Sequence, residues 1–498
     1  MLNKIFTNTP MWVWGVLLGL IALGISQSVA RVVSLKRLLI LPVVMSILSI
    51  LGTASVFGAA PGAWLAWALG AIALTGLVMM IRLPAGTAWN RETQVFTLPA
   101  GWSPMALILG IFFTKYGVGV ALAMQPALAQ DDAFSHAISL LYGALSGIFL
   151  ARTARLWRLS KHPEWAHKLV KPATPRLSPG QRAGLLLAIV VLCPVLLLAG
   201  LIAFGGTSAP PELAAMGKMV GGRSYPGLPE LSYYGARDGR QLAYRAYPGR
   251  AAEARVAVLA HGSSGDSHAM HALALALKAQ GITAYALDMR GHGASGPRGD
   301  VSYVGQLDDD LADLMALLRE RHAKAQISLI GHSSGGGFAL RTAGGANHDL
   351  FDRYLLLAPF LHSQAPTTRP NAGGWVKVAV PRIIGLAVLD QLGLHWFEHL
   401  PVLMFALPAS AAATHTTHYS YRLQLSYRPH EDYLGDVRNI TRPLRVLVGA
   451  SDELFIAERY APLLEPQQAL LKVKVLPGVG HIGMVTDPVA LAAILAEL

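Results

Sequence analysis

The sequence predicts a chain in two parts, an all-α membrane half followed by an α/β domain whose mostly parallel sheet is covered by helices on both faces. Three observations carry this reading. Hydrophobic residues make up 53% of the 498 residues and charged residues only 14%, whereas soluble globular chains carry about 25% charged residues. Six long apolar runs succeed one another before residue 205. After them, short β-rich runs alternate with amphipathic stretches, the pattern of strand–helix–strand units. The expected division is a five-helix membrane domain over 1–160, then a basic loop, a sixth helix and a linker over 161–230, and the α/β domain over 231–498.

A bilayer-crossing helix needs about 20 apolar residues. The runs at 11–30, 38–58, 63–81, 102–124, 133–151 and 183–204 meet or approach this. Trp12, Trp14, Trp64, Trp89, Trp102 and Trp157 fall near their ends, as interfacial anchors do. Ser28-Val29-Ala30 resembles a signal-cleavage site. Only Lys4 precedes that run, however, and Arg31, Lys36 and Arg37 follow it, which favours retention as a membrane helix.

The formal charge of +12 belongs almost wholly to this half. Fifteen Lys/Arg against four Asp/Glu precede Thr207, leaving +1 for the rest of the chain. A nucleic-acid partner would need a basic face on a folded domain, so that class is excluded. The basic residues instead alternate between loops. Loop one has Arg31, Lys36 and Arg37, and loop three has Arg82 and Arg91 against Glu92. Loop five has eight basic residues against Glu164 alone. Loop two is uncharged, and loop four carries Asp131 and Asp132. Positive loops stay cytoplasmic, so the odd loops face inward and the sixth helix delivers the α/β domain outside the cytoplasm.

Lys115 falls mid-run in the fourth apolar stretch. An intramembrane charge is a functional-site hypothesis by default. The economical expectation is that it snorkels beside Tyr116 toward Asp131 or Asp132. The one cysteine, Cys193, lies in the sixth run, permits no intrachain disulfide and reads as a small apolar residue. The Gly- and Pro-rich segment 205–229 reads as a linker.

In the second half, 231–247 reads as two strands turned at Asp238-Gly239. Strands follow at 255–260, 282–287, 327–330, 354–357, 444–448 and 473–476. Helices are expected over 268–280, 304–322 and 336–343, and from Pro488 onward. Ligands of such sheets bind beyond the carboxyl ends of the strands. His261, Asp288, Ser333, Asp452 and His481 all follow expected strands.

Gly331-His332-Ser333-Ser334-Gly335 fits the G-x-S-x-G nucleophile turn between a strand and a helix. The turn is tight, so a side chain at Gly331 or Gly335 would strike backbone. A serine hydroxyl needs a base; His481, after the last strand, is the candidate. Asp452 follows the preceding strand and is the candidate to orient His481, with Asp432 and Asp436 in reserve. An oxyanion would take the N–H of Ser334 and that of Ser263, within His261-Gly262-Ser263-Ser264-Gly265, where Gly262 and Gly265 allow close backbone approach.

HGSSG, DMRGHGASG, GHSSG, GASDE and GVGH in this order resemble the serine-hydrolase families of monoacylglycerol lipases and lysophospholipases. The resemblance runs from about 231 to 498. It implies an α/β-hydrolase fold and ester hydrolysis through an acyl-enzyme, without cofactor or metal. It also implies structural roles for Asp288, Arg290 and His292, and a lid in the insertion at about 361–436. The expected substrate is a small lipophilic ester and the other partner is the lipid bilayer. Ser334 departs from the lipase pattern, where Met often follows the nucleophile. The first five helices are similar to a small bacterial membrane family of unknown function. With the Ala/Leu/Arg richness, the expected location is a bacterial inner membrane, multi-pass, with a periplasmic catalytic domain.

Rival readings are acyl transfer or amide hydrolysis on the same residues, and a non-catalytic membrane scaffold. The insertion holds an unusually apolar stretch, 381–408, expected to form helices that bury an acyl chain or dip into the membrane surface. It also holds His395-Trp396-Phe397-Glu398-His399, an H-x-x-E-H pattern. Zinc there would need a third ligand and its own scaffold, so no metal is expected; nor is one at His415 and His418, in a polar segment.

Overall fold

The computed structural model describes residues 11–57, 61–124, 128–129, 131–170, 195, 198–213, 225–249 and 255–498. Cys193, most of the sixth apolar run and much of the linker lie outside them. The chain divides into two units, Met1–Val195 and Leu196–Leu498.

Among its described residues the first unit holds five long helices, α1 (Met11–Ser28), α2 (Leu35–Phe57), α3 (Pro61–Met79), α4 (Ser103–Met124) and α5 (Asp132–Lys161), and one short helical turn at Ala166–Leu169. Among the described residues three helical segments are long and apolar enough to cross a membrane, Pro61–Met79, Ser103–Leu122 and Phe134–Lys161. Many of their apolar side chains are exposed, Ile72 at 70% among them, as a lipid-facing surface requires. Helices α3 and α5 pack backbone to backbone. A Cβ on Gly143 would sit 1.9 Å from Trp67 O, and one on Gly147 would sit 2.4 Å from Ala71 O. These two glycines form a small-xxx-small face, the membrane solution for close helix approach. Ser49 Oγ donates to Tyr142 O (3.0 Å) and accepts from Trp67 Nε1 (3.0 Å), adding polar ties between helices.

Two features depart from the sequence reading. Loops one and three are not irregular: β1 (Arg31–Ser34) and β2 (Ala88–Asn90) both pair antiparallel with β3 (Val95–Leu98). Arg155 Nη1 reaches Ile81 O (2.7 Å), and Leu83 N donates to Leu169 O (2.7 Å). The described parts of loops one, three and five thus meet at one end, over a small core of Leu83, Phe96, Leu98, Leu156 and Leu159. Lys115 does not turn toward Asp131 or Asp132. Its Nζ donates to Leu48 O (3.0 Å) and lies 5.2 Å from the Tyr142 ring centroid. Gly52 makes this possible, since a Cβ there would sit 2.7 Å from Nζ. A backbone carbonyl and an aromatic face within reach are cheaper partners than a distant carboxylate at the helix end.

The second unit is built on an eight-stranded sheet of β4 (Ser232–Gly235), β5 (Gln241–Tyr247), β6 (Arg255–Ala260), β7 (Thr283–Leu287), β8 (Gln326–His332), β9 (Arg353–Leu357), β13 (Leu444–Gly449) and β14 (Leu471–Leu476). Their order is β14-β13-β9-β8-β6-β7-β5-β4. Strands β4, β5 and β7 pair antiparallel, and every other pair is parallel. Strand β8 is buried on both faces after Gln326, as expected where helices cover both sides. Helices α6 (His271–Ala279), α7 (Gln306–Arg321) and α8 (Ser334–Gly344) follow β6, β7 and β8. This is the α/β-hydrolase arrangement that the motifs imply.

Between β9 and β13 the insertion forms its own antiparallel sheet, β10 (Val376–Val378), β11 (Pro401–Phe405) and β12 (His418–Ser420), with β11 central. Of the stretch 381–408 only α9 (Val380–Gln391) is an α-helix, which corrects the expectation of apolar helices throughout. Gly393, at φ 71°, closes α9 through a Leu394 N–H bond to Leu389 O (2.9 Å). The chain then extends, burying Val402 and Phe405. Helices α10 (Tyr421–Ser426) and α11 (Tyr433–Arg438) lead back to β13, and α12 (Tyr460–Leu464) and α13 (Pro488–Ala496) complete the unit.

Candidate active site

Ser333 stands on the turn from β8 into α8 at φ 54°, ψ −116°. A non-glycine residue with positive φ is strained, and the neighbourhood holds it there. Ser333 N donates to Leu357 O (2.9 Å), and Ser333 O accepts from Gly337 N and Phe360 N. The flanking glycines are sterically required. A Cβ at Gly331 would lie 2.1 Å from Gly335 O, and one at Gly335 would lie 2.4 Å from both Ala260 O and His261 O.

His481 and Asp452 come together at the ends of β14 and β13. His481 Nδ1 donates to Asp452 Oδ2 (2.8 Å), with both residues nearly fully buried. Asp452 Oδ1 accepts the N–H groups of Leu454 and Phe455, each at 2.8 Å. Burial alone would raise the Asp452 pKa. The His481 hydrogen bond and charge, with those two N–H groups, outweigh it and hold the carboxyl below its ordinary range. Asp432 and Asp436 are engaged elsewhere. Asp432 caps α11 and pairs with Arg438 (3.0 Å), and Asp436 accepts from His430.

Ser333, His481, His332, Gly262, Ser263, Ser264 and Gly265 all line one cavity of about 320 Å³. Tyr225, Asp266, His268 and His415 line part of the rest, as do Trp375, Leu407, Leu454, Ile482 and Val485. Among the described residues no hydrogen bond joins the Ser333 hydroxyl to His481. Nor, among those residues, does an acceptor take the backbone N–H of Ser263 or Ser334.

The loops of the site are wired to one another. His261 donates from Nδ1 to Gly262 O (2.7 Å) and accepts at Nε2 from Met289 N (3.2 Å). Burial lowers its pKa and keeps it neutral. His292, buried beside it, is lowered well below the ordinary value. Its Nε2 accepts from Tyr419 Oη (2.7 Å), which in turn accepts Ser264 N–H (3.3 Å). Asp288 accepts Ser267 N–H and Ala294 N–H, each at 2.8 Å. Arg290 pairs with both Asp310 (2.6 Å) and Asp238 (2.8 Å).

Several supporting contacts carried no sequence signal. Trp375, in the insertion, donates Nε1–H to Ser263 Oγ (2.9 Å). Tyr427 Oη donates to His261 O. Glu453 Oε2 accepts His481 N–H (2.8 Å), and His332 Nε2 donates to His481 O (3.0 Å). Each is a contact across loops far apart in the chain. Only the adjacency of Glu453 to Asp452 and the place of His332 beside Ser333 in the nucleophile turn were open to view.

The H-x-x-E-H pattern lies in turns and does not form a helical metal motif. His395 Nδ1 meets Glu398 (2.9 Å) and Asp390 (3.3 Å), and His399 is not part of that group. His415 and His418 do not share a helix: His415 bonds Thr414 Oγ1 (2.8 Å) in a turn, and His418 opens β12.

Residues 251–486 match the family described as "Serine aminopeptidase, S33", and residues 1–167 match a "Family of unknown function (DUF6622)". A monoacylglycerol lipase of Mycolicibacterium smegmatis is 36% identical over 83 residues, which span 16% of this chain and 30% of that relative. Among solved structures, a soluble variant of monoglyceride lipase from Saccharomyces cerevisiae is 17% identical. It covers 55% of this chain and 96% of its own at a TM-score of 0.43. A putative aryl esterase from Burkholderia cenocepacia is 18% identical, covering 54% and 97% at a TM-score of 0.39.

Proposed function

Because the C-terminal unit is an α/β-hydrolase domain of the serine-hydrolase class, we propose that this protein is a membrane-anchored ester hydrolase acting through Ser333, His481 and Asp452. One observation carries the reading. A serine held at strained backbone geometry opens into the same cavity as a histidine whose far nitrogen is fixed by a buried, ionised aspartate.

In this reading the Ser333 hydroxyl adds to the substrate carbonyl while His481 Nε2 takes its proton. A small side-chain rotation on substrate binding brings the hydroxyl to the ring, since catalytic hydrogen bonds tighten in the complex. Asp452 keeps the Nδ1–H tautomer and stabilises the imidazolium. The free N–H groups of Ser263 and Ser334 receive the oxyanion. The alcohol leaves with the proton from His481, and water then releases the acid by the reverse route.

The substrate is a lipophilic acyl ester of the monoacylglycerol or lysophospholipid kind, which Trp375, Leu407, Leu454, Ile482 and Val485 would receive. The family description favours a second reading on the same residues, cleavage of peptide amides. The charge alternation of the loops supports a bacterial inner-membrane location with the catalytic domain periplasmic.

A fluorophosphonate probe is expected to label the full-length protein at Ser333, and Ser333→Ala to abolish labelling. A folded protein that never labels overturns the enzymatic reading. Hydrolysis of graded acyl esters but not of aminoacyl amides selects the esterase over the peptidase; the reverse selects the peptidase.

A further inference from the structure

Residues 198–204 are helical and carry the end of the sixth apolar run. Their last turn is seated on α9 of the insertion. Arg382 Nε donates to Ile202 O (2.9 Å), Nη2 to Ala203 O (3.3 Å) and Nη1 to Pro401 O (2.9 Å). The guanidinium therefore satisfies carbonyls left over at a helix C-terminus and places a positive charge at its negative end. Three glycines fit around this joint. A Cβ at Gly385 would lie 2.7 Å from Ile202 Cγ1, one at Gly205 would lie 2.7 Å from Arg382 N, and one at Gly206 would lie 2.6 Å from Arg382 Nη2.

The pairing also has a direction. As the chain advances from Leu201 and Ile202 to Gly205, its partners on α9 run backward, from Gly385 to Pro381 and Arg382. The two segments are antiparallel here, so α9 leads back in the direction from which residues 198–202 come. At 1.5 Å per residue, the stretch from Gly385 to the end of α9 advances about 9 Å in that direction. There the chain turns, exposing Leu392 (66%), Trp396 (71%) and Phe397 (43%). His395 in this turn pairs with both Asp390 of α9 and Glu398, which lessens the charge presented.

We propose that the turn 392–397 inserts into the interfacial layer of the bilayer beside the sixth helix, held there by the Arg382 joint. The partner is lipid. Soluble domains rarely cluster exposed tryptophan, phenylalanine and leucine, whereas amphipathic aromatic rings favour the headgroup level. The inference concerns placement of the insertion and holds whether or not Ser333 is the nucleophile.

The test uses the full chain in phosphatidylcholine–phosphatidylglycerol vesicles. In a Cys193→Ser background, Trp396→Cys and, as a control on α13, Val489→Cys are labelled with an environment-sensitive fluorophore. Quenching by doxyl lipids is expected to be about threefold or more greater at 396 than at 489, with aqueous iodide showing the opposite order. Equal lipid quenching at both positions, or free access of iodide to 396, overturns the proposal. Arg382→Ala is expected to reduce lipid quenching at 396; unchanged quenching removes the joint as its cause. Fluorophosphonate labelling of the same samples reads the enzymatic proposal separately: a label buried in lipid on a protein that never reacts would leave this inference standing.

Discussion

Ser333 and His332 share one turn and pay for it differently. The serine accepts a backbone conformation that its Cβ disfavours, and the hydrogen bonds at its N–H and C=O hold it there. The histidine is buried, and that burial, followed by the His481 ring alongside, lowers its pKa to about 3. In the unfolded chain it would titrate near 6.5. Between those values the unfolded state binds the proton and the native state does not, so stability is complete above pH 6.5 and falls as pH drops toward 3. Urea unfolding of the C-terminal domain within the full chain is expected to show that decline. His332→Gln should flatten it by up to about 1.4 kcal/mol per pH unit, and an unchanged slope would refute the assignment. Ser333, Asp452 and His481 were legible as candidates because each carries its own chemistry and follows a strand. The supporting roles of His332 and Glu453 were not, because they depend on which loops meet.

At the scale of elements, the insertion is where reading and structure parted. The run from Pro381 to Pro408 is apolar throughout, and composition alone does not separate helix from strand. Gly393 and the pairing of β11 between β10 and β12 decided it. That small sheet brings Trp375 to the cavity, where its indole N–H holds the Ser263 hydroxyl. Trp375→Phe should cost about 1 kcal/mol of positioning, seen as a several-fold fall in kcat with KM little changed and the circular dichroism intact. An unaltered kcat would mean that the insertion does not align the loop. The loop around Asp288, Arg290 and His292 shows the opposite case, since its structural reading from the motif agrees with the bonds made. Arg290 is only 3% exposed by side chain and faces Asp310 at 6%. Arg290→Met leaves a buried carboxylate without its partner and is expected to cost about 3–5 kcal/mol, measured as a loss of thermal stability. A change within error would show that Asp310 relaxes or protonates freely.

Across the whole molecule, two units answer to different solvents. The second buries a continuous apolar core around its sheet, while the first leaves apolar side chains on its helices exposed and relies on glycine-mediated contact and interhelical hydrogen bonds. Without a hydrophobic drive between helices in lipid, close packing and polar ties must hold that unit together. The same contrast explains why its ordered end went unforeseen. The charges of loops one and three speak only to topology, yet their short β segments pair and cover a local core.

By itself the sequence determined the class of each half and the chemistry available to it, because hydropathy period, run length and residue type are local properties. It also placed the candidate nucleophile, base and acid each just after a strand. Only the tertiary structure decided which loops touch: Asp452 rather than Asp432 or Asp436 at His481, Trp375 at Ser263, Leu48 rather than a carboxylate at Lys115, and Arg382 at the end of the sixth helix. Such contacts join residues distant in the chain. Their energies depend on separation and burial in three dimensions, which no local pattern records.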